Sequence, residues 1–315
     1  MPVFRAISRT AVAGTAAGAL ATGLFVAVPG QASAKPRNWL NCSSEHSPKR
    51  AERLETKLRK AVGGRSGTMS FALYDREHRI GCYYGTGRHY DSASTVKVTI
   101  VAALLRTAQK QKRELTARER SLARAAITRS DNDAATALWR RLGRARVQGL
   151  LDAVGMRATR LDPGGHWGLT RTTAVDQLRL LIMLTRKGDV LTGESRRHLL
   201  ALMSQVVRGQ RWGTPAGVSS KTKVRVKNGW LPRATHGWRV HSLGIFGDER
   251  RDYMIAVLTH DNPSLQYGIT SIERVSRVVH GTLVPESNAR WIPTPHPPEI
   301  GDGSAPFDVD RPAED

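Results

Sequence analysis

The apolar residues of this chain change period twice, and that change constrains the fold more than any other feature. Residues 68–75 (TMSFALYD) and 80–84 read as two strands around a polar turn at 76–79. Between residues 98 and 207 the apolar positions recur every three or four residues, which predicts helices at 116–128, 134–142, 173–186 and 194–207. Glycines at 143, 149 and 155 punctuate short helical pieces in that block. From residue 221 the period returns to two, and 221–230, 238–246 and 253–260 read as three antiparallel strands of a meander. One amphipathic helix at 49–62, carrying Leu54, Leu58 and Val62, precedes the first strands, and another at 264–280 follows the last. The terminal segments therefore combine into one five-stranded antiparallel sheet covered by the first and last helices. The middle block forms an all-helical lobe. The class is α+β, an α/β sandwich with a helical lobe attached.

The junction of the lobes falls at 90–105. Asp91 and Ser92 are helix-capping residue types, and Val98, Val101, Ala102 and Leu105 recur at helical spacing, which places Ser94 in the first turn. Ser94 and Lys97 then share one face, with Cβ atoms about 5–6 Å apart. A serine hydroxyl is a weak nucleophile until a base takes its proton. A lysine buried among valines has a depressed pKa and can act as that base. The same spacing also describes a plain capped core helix, so Ser94 and Lys97 alone do not define a site.

The amino terminus carries Arg5 and Arg9, an Ala/Gly/Val/Leu run at 10–28, and Ala32-Ser33-Ala34 before Lys35. That pattern predicts a secretory signal peptide over residues 1–34 and an exported, extracellular protein in association with the cell wall. Two cysteines in an exported chain, Cys42 and Cys82, are expected to form a disulfide that ties the amino-terminal arm to a strand. The 49 Lys+Arg against 27 Asp+Glu are unevenly placed, because the tail at 285–315 holds seven acidic residues and only Arg290 and Arg311. The result is a basic body, 35–284, with an acidic, proline-rich tail. The tail has too little apolar surface to offset ordering entropy and is expected to be disordered, although an acidic strand beside a basic cleft can compete with anionic substrate. The basic body suits an anionic wall polymer, and no nucleic-acid motif accompanies the charge. His236, His241 and His260 lack the ligand spacing of a zinc site, so no metal or other cofactor is expected.

Ser94-Thr95-Val96-Lys97, Ser130-Asp131-Asn132 and Lys227-Asn228-Gly229 occur in that order, at a helix start, in the helical lobe and on a late strand. This set resembles the three-part signature of the class A β-lactamase and penicillin-binding-protein superfamily. Residues 125–129 and 159–162 also look like class A sequence, and the resemblance runs from about residue 50 to 283. It implies a β-lactamase-like serine hydrolase acting through an acyl-enzyme. Ser94 would be the nucleophile, Lys97 its base, and Ser130 the relay that passes a proton to the leaving nitrogen. Asn132, Lys227, Asn228, Gly229 and Trp230 would bind substrate, with the Ser94 and Trp230 N–H groups forming an oxyanion hole. The implied partners are a small molecule or a peptidoglycan peptide, taken by a monomer without a cofactor.

Three departures stand out. Ser94 and Ser130 are 36 positions apart, shorter than class A practice. Asn228 replaces the hydroxyl residue that contacts a substrate carboxylate, leaving Arg225 or Arg233 as substitutes. The loop at 162–168 lacks the glutamate and asparagine that activate the deacylating water. Asp162 or His166 could take that place, although Asp-Pro-Gly at 162–164 also simply initiates a turn. Three activities are compatible: a D,D-peptidase or penicillin-binding type of hydrolase, a β-lactamase with a non-standard deacylation residue, and a non-catalytic wall-binding protein on the same fold.

Overall fold

A computed structural model describes residues 39–248, 251–284, 297–298 and 300–305. The proposed signal peptide lies outside the described residues. In chain order the elements are β1 (Leu40–Ser43), α1 (Pro48–Val62), β2 (Thr68–Asp75), β3 (Ile80–Tyr84), β4 (Tyr90–Asp91), α2 (Val96–Lys110), α3 (Ala117–Thr128), α4 (Asn132–Val154), β5 (Arg171–Thr172), α5 (Ala174–Thr185), α6 (Gly193–Ser204), β6 (Val224–Pro232), β7 (Trp238–Phe246), β8 (Tyr253–Asn262) and α7 (Leu265–Leu283). No helix among the described residues is long and apolar enough to cross a membrane.

The expected sheet forms and gains a sixth strand, in the order β1-β3-β2-β8-β7-β6, antiparallel throughout. Alternation along its central strands sorts side chains between two cores. Phe71 and Leu73 on β2, with Ile255 and Val257 on β8, pack with Leu54 and Leu58 of α1 and Ile269, Ile272 and Val275 of α7. Ala72, with Met254, Ala256 and Leu258, points to the other face, where α2 and the helical lobe pack. Helix α2 is buried nearly all round from Val96 to Leu105, as suits the central helix of that lobe. Thr116 and Glu119 close a capping box on α3, as its sequence predicts. Helix α4 runs longer than expected, through Gly149 to Gly155, with a kink at Gly143.

Strand β1 is the strand of this sheet that periodicity missed, since four residues carry too little alternation to read, and the two-residue strands β4 and β5, which pair with each other, were missed for the same reason. It pairs with β3 so that Cys42 lies opposite Cys82, and the two are disulfide-bonded with Cα atoms 4.0 Å apart. The bridge closes a loop of separation 40, for which chain entropy gives about 4 kcal/mol. Replacing both cysteines by alanine should therefore cost about 2–4 kcal/mol by denaturant titration. An unchanged midpoint would show that the edge strand holds without its bridge.

Candidate active site

Three elements converge where the lobes meet. A single 3-10 turn, Ala93–Thr95, carries Ser94 into α2. Ala93 sits at φ +45° and Ser130, just before α4, at φ +59°. Left-handed conformations in non-glycine residues cost about 1–3 kcal/mol each, and here both aim serines at one point. Strand β6, the edge of the sheet, supplies the third side. Gly229 lets it approach closely, because a Cβ there would lie 2.7 Å from the Ser94 nitrogen.

Lys97 is the hub. Its Nζ lies 2.7 Å from Ser94 Oγ, 2.6 Å from the Ser130 carbonyl oxygen, 3.1 Å from Ser130 Oγ and 2.6 Å from Asn132 Oδ1. An ammonium has three protons for these four oxygens. A neutral amine fits the two shortest contacts as a donor to Ser130 O and Asn132 Oδ1, leaving its lone pair to accept the Ser94 hydroxyl proton. Burial pushes Lys97 down to about 8, against the opposing pull of Asp302 and Asp131. Lys227, fully buried, donates to Ser130 Oγ at 2.9 Å and to the Asn228 carbonyl at 2.7 Å. Burial, then the neighbouring Lys97 charge, lowers Lys227 well below the lysine range. Ser130 thus stands between two amines. Asp131 is the helix cap of the triplet, its carboxylate accepting the Ala134 N–H at 2.8 Å.

The Ser94 and Trp230 N–H groups point at one oxygen, Oδ2 of Asp302, at 3.0 and 3.4 Å. This is the donor pair the resemblance implies for an oxyanion. The oxygen they hold comes from the carboxy-terminal tail, whose expected disorder does not extend to 300–305. Residues 306–315 lie outside the described residues. Tail composition could not anticipate this, because the groups that hold these residues, the Ser94 N–H, the Asn132 amide and the Trp230 backbone and indole, belong to distant segments.

Other expected site residues are placed differently. Asn228 is fully buried on the face of β6 opposite Lys227, and its Nδ2 donates to the Gln210 and Trp212 carbonyls at 2.9 and 3.0 Å. Its amide therefore braces the segment under Trp212 and is not presented to a substrate. Arg225 donates to the Gly247 carbonyl, and Arg233 lies 4.0 Å from Asp91, so each is engaged locally. Asp162 turns inward. Its Oδ2 accepts the His166 N–H at 2.9 Å and its carbonyl accepts the Gly165 N–H, the pattern of a turn former. His166 is half-buried beside Gly164. The loop instead sends Trp167 to the site, with Lys97 Nζ 4.9 Å from its ring centroid. Trp167 and Asp302 carried no motif in the sequence. His241 is buried, its Nε2 within hydrogen-bond reach of the Asp91 carbonyl, and pushed down to about 4 by desolvation. His236, His260 and Asp261 place three ligand-type atoms within 4.8 Å of one another where β7 begins and β8 ends. There Asp261 already accepts from Thr68 Oγ1 and meets the His236 ring.

A sequence profile described as the beta-lactamase enzyme family matches residues 116–283, more than half of the chain and inclusive of Ser130 and Lys227. Solved structures share the fold. A variant of the reconstructed last common ancestor of Gram-negative class A beta-lactamases superposes with a TM-score of 0.61 at 23% identity, covering 72% of this chain and 96% of that one. A beta-lactamase from Xanthomonas campestris gives 0.62 at 19%, with 73% and 97% covered. The TLA-1 extended-spectrum beta-lactamase gives 0.65 at 17%, with 74% and 99% covered. None of the curated protein sequences compared with the chain matches it.

Proposed function

The chain belongs to the beta-lactamase enzyme family, and from that premise we propose that it is an exported serine hydrolase whose Ser94 is acylated by β-lactam, amide or ester carbonyls, with peptidoglycan peptides as the natural substrate class. One observation carries the reading. The Lys97 amine lies 2.7 Å from Ser94 Oγ while two backbone N–H groups converge on a single oxygen position beside it. In the proposed reaction Ser94 Oγ attacks the carbonyl carbon and its proton passes to neutral Lys97. The negative oxygen is held by the Ser94 and Trp230 N–H groups, donors of a kind worth about 3 kcal/mol each in a transition state. As the carbon–nitrogen bond breaks, Ser130 gives its proton to the leaving nitrogen and is reprotonated through Lys97. Lys227 lowers the cost of negative charge on Ser130 during that transfer. Water then cleaves the ester and restores Ser94. The disulfide and the basic charge of the chain, Lys+Arg exceeding Asp+Glu by 22 over its full length, are compatible with work outside the cell at an anionic wall.

Labelling with a fluorescent penicillin and a fluorophosphonate tests this, with Ser94→Ala as control. Folded protein that takes neither label, even with 300–305 displaced, would leave the wall-binding reading. The pH profile is a sharper check. Only the amine form of Lys97 accepts a proton, so labelling should be slow below its pKa, rise with pH and level off above about 8. A rate that is flat across about pH 6 to 10 would remove Lys97 as the base.

A further inference from the structure

Ser94 is 0% exposed although it is the residue a substrate must reach. What covers it is the tail. The Trp230 indole N–H donates to the Ile300 carbonyl at 2.9 Å, the Asp302 N–H donates to the Trp230 carbonyl at 3.1 Å, and Asn132 Nδ2 donates to the Asp302 carbonyl at 2.6 Å. The Asp302 carboxylate then turns into the oxyanion position, with its second oxygen accepting the Ser304 N–H at 2.9 Å. Past it, Gly303 takes φ +66° against the Asn132 amide, which spares the turn a Cβ. Ser304 closes on Gly168, and Ala305 packs with Ala93, Leu169 and Leu231. The edge of β6 is thus met by a bent segment that makes one backbone hydrogen bond to it, at Trp230.

We propose that residues 300–305 are an autoinhibitory strap in which Asp302 occupies the acyl site as a product-like carboxylate. The inference rests on Ser94 being the nucleophile. Hydrolysis of an ester on Ser94 leaves a carboxylate whose oxygen sits where Asp302 Oδ2 sits, so the strap presents the finished form of the reaction. It competes as a tethered ligand. Because the strap belongs to the same chain as the site, it competes at an effective concentration of about millimolar. Substrates well below that concentration meet a closed site, while a polymeric substrate that itself pairs with β6 can displace the strap.

The test uses the full chain carrying Asp302→Ala, and a second form with a protease site inserted at 285–296 so that the tail is cut and removed after folding. Fluorophosphonate labelling of Ser94 should accelerate about tenfold or more in both. A synthetic peptide of residues 297–306 at about 1 mM should slow the cut form again, and the same peptide with Asp302→Ala should not. Hydrogen exchange at the Ser94 and Trp230 amides gives a readout independent of chemistry, since both should lose protection when the tail leaves. Deprotected amides with no labelling in any form would support the strap and overturn the serine-hydrolase reading. Amide protection and labelling rates that are the same with and without the tail would overturn the strap.

Discussion

Lys97→Met should slow acylation of Ser94 by about 10³-fold or more, with the protein still folded by circular dichroism. Methionine has similar length and flexibility, so it occupies the same tunnel between Ser94 and Ser130 without a lone pair to take the proton. The comparison with Lys227→Met separates the two amines. Lys227 reaches Ser130 and not Ser94, so its loss should fall on substrates whose leaving nitrogen needs a proton and should spare a fluorophosphonate, whose leaving group does not. Equal losses on both reagents would merge the two lysines into one electrostatic role. Undiminished labelling in Lys97→Met would remove the central claim about the site.

A penicillin adduct on Ser94 should persist for about one to ten minutes. Acylation has its nucleophile, base, relay and oxyanion donors, whereas the loop at 162–168 presents no glutamate, and the Asp162 carboxylate serves the His166 N–H of its own turn. A typical turnover of about 10 per second, reduced by about 10³–10⁴, the upper part of the range that a general base supplies, gives a half-life of about one to ten minutes. Intact mass spectrometry after a penicillin pulse, on the Asp302→Ala form so that entry is not limiting, reads it directly. Rapid multiple turnover with no adduct would sink the expectation. It would move the base to Asp162 or His166, which Asp162→Asn and His166→Ala would then distinguish.

Much of this was legible without coordinates, and each part for a local reason. The switch of apolar period places five of the six strands of the large sheet and the helices between them, because period two and period 3.6 are consequences of backbone geometry that operate residue by residue. The three-residue step from Ser94 to Lys97 is equally local. The three motifs together point to the family that the sequence profile matches. Asn228 shows where a motif read as a string misleads. Alternation along β6 puts it on the face opposite Lys227 and Gly229, where it serves the segment at Trp212.

What only the tertiary structure decided are relations between segments distant in sequence. The two cysteines announce their bridge, but that the arm around Cys42 becomes strand β1 paired in register with β3 is a relation that four residues cannot show. The value of about 8 for Lys97 depends on burial contributed by many elements at once. The tail shows the difference most clearly. Its composition speaks only of how little apolar surface it carries, and nothing in that composition reveals that β6 presents a backbone edge beside two N–H groups that converge on one oxygen position. Hydrophobic patterning is written locally because each residue partitions by its own surface, whereas complementarity between a strand edge and a carboxylate belongs to neither segment alone and appears only when folding brings them together.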